Sequence, residues 1–210
     1  MDGMTFFDII RFPSRVMAAE VKNASTKEAM KAFAIYGLVI GLLLGLLVAF
    51  FAGLVSMLGI FGSNNGFVAL AAGFGLLAII ILPIIFAVIS VVGSYISSGI
   101  MWLVAKLLGG KGTFEQNYYL FSRLLWPVLV ITFLANILVL IPVIGSLIPL
   151  VWTLYLFYLY VVVISTANTI SKLKALIAFV VPAIIVMVIA FIVAGALVLS
   201  LLASANAVTP

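Results

Sequence analysis

The chain has 210 residues, 67% of them hydrophobic and 7% charged, with a mean hydropathy of +1.49. Soluble domains hold about 45–50% apolar and about 25% charged residues, so a water-soluble fold is excluded. Cysteine and histidine are absent. That removes disulfides, thiolate metal sites and the commonest general base, and no cofactor or metal is expected. A net charge of +5 is too small to point to nucleic acid, and the length suits one helical bundle.

In chain order, residues 1–15 lack a basic stretch followed by a clean apolar one, so no signal peptide is expected. Phe6, Phe7, Ile9, Ile10 and Phe12 alternate with Asp8 and Arg11, and Pro13 bends or stops the segment. Val16, Met17 and Val21 lie among Arg15, Glu20 and Lys22. Residues 1–25 are therefore expected to form an amphipathic segment lying on the membrane surface, apolar side down. The alternative is a solvated tail packed on the bundle.

Ser25-Thr26-Lys27-Glu28 has the form of a capping box and predicts a helix from Thr26. The apolar run 33–61 would be about 43 Å long as a helix, enough to cross a hydrocarbon core of about 30 Å. Residues 62–66 end it. The run 67–105 would be about 58 Å long, too long for one span, yet nothing inside it is polar enough for an exposed turn. Residues 67–74 are read as entry or surface structure and 75–105 as the second span, kinked at Pro83. Residues 106–123 form the largest polar loop, within which Thr113-Phe114-Glu115-Gln116 predicts a helix start near Phe114. The third span is 124–141, a proline-bracketed turn covers 142–149, and the fourth span is 150–167. Residues 168–174 form a short polar loop with Ser171 as N-cap. The fifth span is 175–202 and contains Pro182, and 203–210 form a short external tail. The expected fold is an all-α integral membrane protein: a five-helix bundle over 26–202 behind a short amphipathic N-terminal segment.

Charge placement sets the orientation. Arg11, Arg15, Lys22, Lys27 and Lys31 precede the first span, Lys106, Lys111 and Arg123 separate the second from the third, and Lys172 and Lys174 separate the fourth from the fifth. With five spans all ten basic residues fall on one side, which the positive-inside rule makes cytoplasmic. The N-terminus is then inside and the C-terminus outside.

The five apolar runs contain no Asp, Glu, Lys or Arg. Proton relays and intramembrane hydrolases need ionisable groups at depth, and a serine nucleophile needs a base. No enzyme is expected. Gly37, Gly41, Gly45, Ala49 and Gly53 recur every four residues in the first span, and Ser90, Ser94 and Ser98 do so in the second. Such small-residue faces let backbones approach, within a bundle or across a homo-oligomer, and packing inside the bundle is the reading taken. A serine-lined solute path would need a partner wall, for which Thr132 and Asn136 are the candidates; Asn136 is read as a helix-to-helix hydrogen-bonding residue. Trp152, Tyr155, Phe157, Tyr158 and Tyr160 make the fourth span aromatic, and mid-span Tyr155 and Tyr158 need protein partners for their hydroxyls. Tyr118, Tyr119, Phe121 and Trp126 read as an interfacial belt or as a docking surface with Lys111, Glu115 and Arg123. The candidate contact surface for lipid headgroups or a protein partner is Lys111, Glu115, Tyr119, Arg123, Lys172 and Lys174.

Gly109-Gly110-Lys111-Gly112-Thr113-Phe114, followed by Tyr119 and by Trp126-Pro127, resembles the signature stretch of the Yip1 domain family. The order of features does so too: a proline-bearing amphipathic N-terminus, five spans, Ile141-Pro142-Val143-Ile144-Gly145-Ser146 between the third and fourth, and 171–175 entering the fifth. The resemblance covers nearly the whole chain. It implies a membrane-organising or trafficking-type scaffold. Eukaryotic members bind prenylated small GTPases and carry a longer N-terminal region with an Asp-Leu-Tyr-Gly-Pro motif. Here the arm is short and only Tyr36-Gly37 corresponds, so the chain is more similar to compact prokaryotic members, and the resemblance does not carry GTPase binding over to it. The alternative function is a channel or transporter for an uncharged or lipid-like solute.

Overall fold

The computed structural model describes residues 6–57, 65–139, 141 and 144–207. The elements are α1 (Phe6–Arg11), α2 (Pro13–Glu20), a 3-10 turn (Val21–Asn23), α3 (Thr26–Met57), α4 (Asn65–Leu107), α5 (Phe114–Leu138), α6 (Ile144–Asn168) and α7 (Lys172–Ala207). Helices α3 to α7 are each long and apolar enough to cross a membrane, and there is no strand among the described residues. The fold is the expected all-α membrane bundle.

The helix starts are set by side chains. Ser25 Oγ accepts from Glu28 N (3.4 Å), but Glu28 does not reach back: its carboxylate takes Lys31 Nζ at 2.8 Å. The box at α5 is complete, with Thr113 Oγ1 accepting from Gln116 N (3.2 Å) and Gln116 Oε1 accepting from Thr113 N (3.0 Å). Ser171 Oγ caps α7 by accepting from Lys174 N at 3.4 Å. The end of α4 closes with Gly110 N donating to Ala105 O and Gly109 N to Lys106 O, both 2.9 Å. Gly109 sits at φ +91, where this closing motif favours a residue without Cβ.

Several boundaries differ from the sequence reading. Helix α4 runs from Asn65, so 67–74 are helical and continuous with the second span, whose apolar stretch is Gly73–Leu107. Helix α5 begins at Phe114, and only the stretch between Leu107 and Phe114 separates it from α4. That start is the one the capping box of Thr113 and Gln116 predicts; the departure is that most of the stretch 106–123, expected as a loop, is helix. Pro149 lies inside α6, which begins at Ile144, so most of the expected 142–149 turn is helical. Residues 62–64 of the expected turn and 208–210 of the expected tail lie outside the described residues; Asn65 already begins α4, and 203–207 continue α7 instead of forming a separate tail.

The N-terminal segment packs on protein. Helix α1 touches α5 and α2 lies against α6. Ile9, Val16 and Met17 are buried in the core, where a lipid-facing side had been expected, while Phe7 and Phe12 point outward.

The closest helix pair is α3 with α4. A Cβ placed on Gly41 would lie 2.5 Å from both Leu82 O and Pro83 Cα, and one on Gly45 would lie 2.7 Å from Ala78 O. Gly37 meets the Phe86 carbonyl in the same way, and Gly75 of α4 returns the contact against Ala49. The four-residue repeat is thus a backbone seam inside the bundle. Gly53 is not part of it: a Cβ there would meet nothing within 4 Å.

These contacts fix an expected outcome. Gly41→Ala should force α3 and α4 apart and destabilise the protein by about 1–3 kcal/mol, the usual cost of overpacking. Gly93→Ala, whose Cβ meets nothing within 4 Å, should be neutral or stabilising by up to about 1 kcal/mol through helix propensity. Thermal unfolding of the two variants in detergent checks the contrast.

Candidate functional site

The buried core lies at the end of the bundle where α3, α5 and α7 start and α4 and α6 finish. Cross-contacts bring these ends together: Thr26 N donates to Glu115 Oε1 (2.9 Å), Lys174 Nζ to Leu108 O (2.8 Å), and Asn168 Nδ2 to Asn117 Oδ1 (3.1 Å). All ten basic residues belong to the segments that meet here.

At the centre are two asparagines with 0% exposure. Asn117 Nδ2 donates to Ser98 O (3.1 Å), tying α5 to α4. Asn168 Nδ2 also donates to Ile164 O (3.0 Å) in its own helix, and its Oδ1 is buried without a partner among the described residues. The backbone of Lys111 donates to Asn168 O (2.9 Å), and Trp102 Nε1 donates to Gly112 O (3.2 Å). Gly112 is pressed against the Ala167 carbonyl so closely that no Cβ fits. The glycine loop is thus a lid seated on the end of α6.

Beside this knot Glu20 joins the N-terminal segment to α5. Its Oε2 accepts from the Tyr119 hydroxyl (3.0 Å) and lies 3.2 Å from Arg123 Nε. With only 11% of the Glu20 side chain and 33% of Arg123 exposed, each charge depends on the other for solvation. Further along, the Tyr155 hydroxyl donates to the Ile10 carbonyl. Tyr155 therefore has the protein partner its mid-span position required.

Next to the core is a partly open cavity of about 360 Å³, a size within the range of small-molecule sites. Every span contributes to it: Phe33 and Tyr36 from α3, Ser94, Ser97, Ser98 and Met101 from α4, Phe121, Leu124, Leu125 and Val128 from α5, Tyr160 from α6 and Phe179 from α7. Ser94 Oγ donates to Val91 O (3.0 Å) and lies 3.2 Å from Tyr118 Oη; Ser97 Oγ donates to Ser94 O (3.2 Å). The hydroxyls of Ser98, Tyr36 and Tyr160 have no hydrogen-bond partner among the described residues. No lining residue is charged.

The sequence-predicted contact residues divide. Lys111, Lys172 and Lys174 are exposed around the glycine loop, Lys172 with its ammonium 5.2 Å from the Tyr158 ring centroid. Glu115, although exposed, is engaged in capping α3 across the bundle. Tyr119 is buried and Arg123 half-buried, both held by Glu20. Tyr118, Tyr119 and Phe121 of the aromatic cluster are core residues, while Trp126 is exposed. Ser94 and Ser98 line the cavity, and Ser90 does not. Asn136 donates to Thr132 O (2.8 Å) of its own helix, and Thr132 Oγ1 accepts from Trp152 Nε1 (2.8 Å). Neither lines the cavity with the serines, whose polar companions there are Tyr36 and Tyr160. Sequence reasoning missed Asn117 and Asn168. Their signal was that each is an amide near the end of an apolar span, where an unpaired amide is costly.

Compared with protein-family models, curated proteins and solved structures, the chain finds no match in any of the three.

Two outcomes follow from the knot. Asn117→Ala leaves the Asn168 amide short of an acceptor and should cost about 1–3 kcal/mol, read as a lower unfolding midpoint in detergent. Glu115→Ala removes the cross-bundle cap and should cost about 0.5–2 kcal/mol. If Glu115 serves as a cap alone, the folded variant binds anionic liposomes as the parent does.

Proposed function

We propose that the protein is a non-enzymatic, multi-pass membrane scaffold of Yip1 type. In this reading it sits in the cell membrane of a prokaryote with its N-terminus and basic end in the cytoplasm. That end engages anionic lipid headgroups or a soluble partner. The carrying observation is that all ten basic residues lie on segments meeting at one end, with Lys106, Lys111 and Lys172 exposed there. Cytoplasmic faces carry this excess, and each basic residue near an anionic surface contributes about 1 kcal/mol. The helix ends away from it, around Met57, Asn65, Leu138 and Ile144, carry no Lys or Arg. Support for a non-catalytic role comes from the lack of histidine and cysteine and from the engagement of Glu20 with Arg123.

A solute channel or transporter is the second reading. It is favoured by the uncharged, hydroxyl-bearing cavity, and proteoliposome flux of a small neutral solute such as glycerol tests it.

Two measurements test the scaffold reading. The chain is naturally free of cysteine, so single cysteines report topology cleanly. Exposed sites away from packed glycines are suitable: Met57→Cys and Leu147→Cys at one end, Lys22→Cys and Thr169→Cys at the other. An impermeant thiol reagent applied to intact cells should label the first two only, and labelling of Thr169→Cys would reverse the orientation. Replacing Lys106, Lys111 and Lys172 together with Gln should weaken binding to anionic liposomes on the order of a hundredfold at low salt. The difference should shrink as salt rises. Unchanged low-salt binding would leave these residues with an orienting role only.

A further inference from the structure

The cavity lies at one depth in all five spans. Counted from the helix ends at the basic side, its lining residues sit roughly 10–20 Å along each helix. It is therefore flanked by membrane-embedded segments, where bilayer components are the abundant small molecules. An uncharged lining disfavours an ionic headgroup, which would lose its hydration without a counter-charge. A bare hydrocarbon is disfavoured as well. Ser98 is only 3% exposed, and it lines the cavity together with Tyr36 and Tyr160, the hydroxyls of all three being without a partner among the described residues. Unsatisfied hydroxyls are costly at membrane depth. Much of the remaining lining is apolar and includes Phe33, Leu124 and Phe179, the last stacked on the Tyr160 ring at 5.4 Å.

We infer that this cavity is a binding site for a neutral amphiphile drawn from the bilayer, with its apolar chain against Phe33, Leu124 and Phe179 and an uncharged oxygen function bonded by Ser98, Tyr36 and Tyr160. This site is separate from the basic end on which the proposed scaffold role rests. The Lys106, Lys111 and Lys172 exchanges leave it untouched, so the two readings fail independently.

The experiment uses the full chain in nanodiscs and a photoactivatable monoacylglycerol. Labelling should saturate, should be competed by unlabelled monoacylglycerol, and should map by peptide mass spectrometry to segments around Tyr36, Ser98 and Tyr160. An alkane of matched length and a phosphatidate of matched chain should compete at least tenfold less well. Tyr36→Phe combined with Tyr160→Phe removes two hydroxyls at nearly constant volume and should weaken apparent affinity roughly tenfold. Ser98→Ala is an independent check expected to weaken it about threefold. Unfolding midpoints show that the variants remain folded. Three results would overturn the inference: labelling that does not saturate, as for a cavity holding water alone; equal competition by the alkane or the phosphatidate; or affinity unchanged in both folded variants.

Discussion

Hydrocarbon offers a polar group no hydrogen-bond partner, and this constraint governs where the chain is most tightly built. Asn117 has 0% exposure because its amide spans from the Ser98 carbonyl of α4 to Asn168 of α6. That one side chain holds three helices in register, since shifting any of them by a turn would strand an amide. The glycine loop depends on the same point: Lys111 N bonds the Asn168 carbonyl, and Gly112 presses on the residue before it. In turn the loop fixes Thr113, whose capping box starts α5 and places Glu115 over the first turn of α3. The basic end is thus one connected polar structure.

Away from the knot a different interaction takes over. Gly37, Gly41 and Gly45 bring α3 into backbone contact with α4, and dispersion then acts over two whole helix faces. Large side chains such as Phe50, Ile84, Phe133, Leu154 and Phe191 point outward. In water these would be a liability, but lipid is as apolar as they are. The bundle therefore has a protein-like core at one end and lipid-facing helices at the other. This division explains why its hydroxyl-bearing cavity lies beside the knot: that is where helices are held apart at fixed distances by polar bonds rather than drawn together by small residues.

The five spans were legible because their apolar runs exceed the bilayer thickness and because one span count puts every basic residue on one side. The small-residue seam was legible from its period of four, except at its distal end, where Gly53 meets nothing. Boundaries were less so. Hydropathy ends a helix where charge begins and so starts the third span at 124, while the capping box correctly marks the start of α5 near Phe114, with Glu115 and Arg123 inside the helix. The site was legible only in part. Ser94 and Ser98 could be read from their spacing, but the other hydroxyl-bearing residues of the lining, Tyr36 and Tyr160, come from helices whose rotation no single-helix pattern specifies. Asn136 and Asn168 look alike in sequence. One bonds its own backbone on an exposed face, the other is the centre of the knot, and only the neighbouring helix distinguishes them.

The N-terminal segment shows how an ambiguous amphipathic pattern is resolved. Its apolar side suits a membrane surface or a protein groove equally, because both reward burial of Val16 and Met17. The polar residues decide. Glu20 lying in the bilayer interface would keep its water, whereas in the groove it must be compensated, and here it has both the Arg123 guanidinium and the Tyr119 hydroxyl. Arg123 equally needs Glu20, since it sits inside α5 with its Nε buried. The segment and the bundle therefore complete one another: without α2 the bundle would hold a half-buried cation with no counter-charge, and without Arg123 the segment would bring an uncompensated carboxylate into an apolar groove. A reciprocal dependence of this kind specifies docking at one position along α5 and α6, which apolar burial alone would not do.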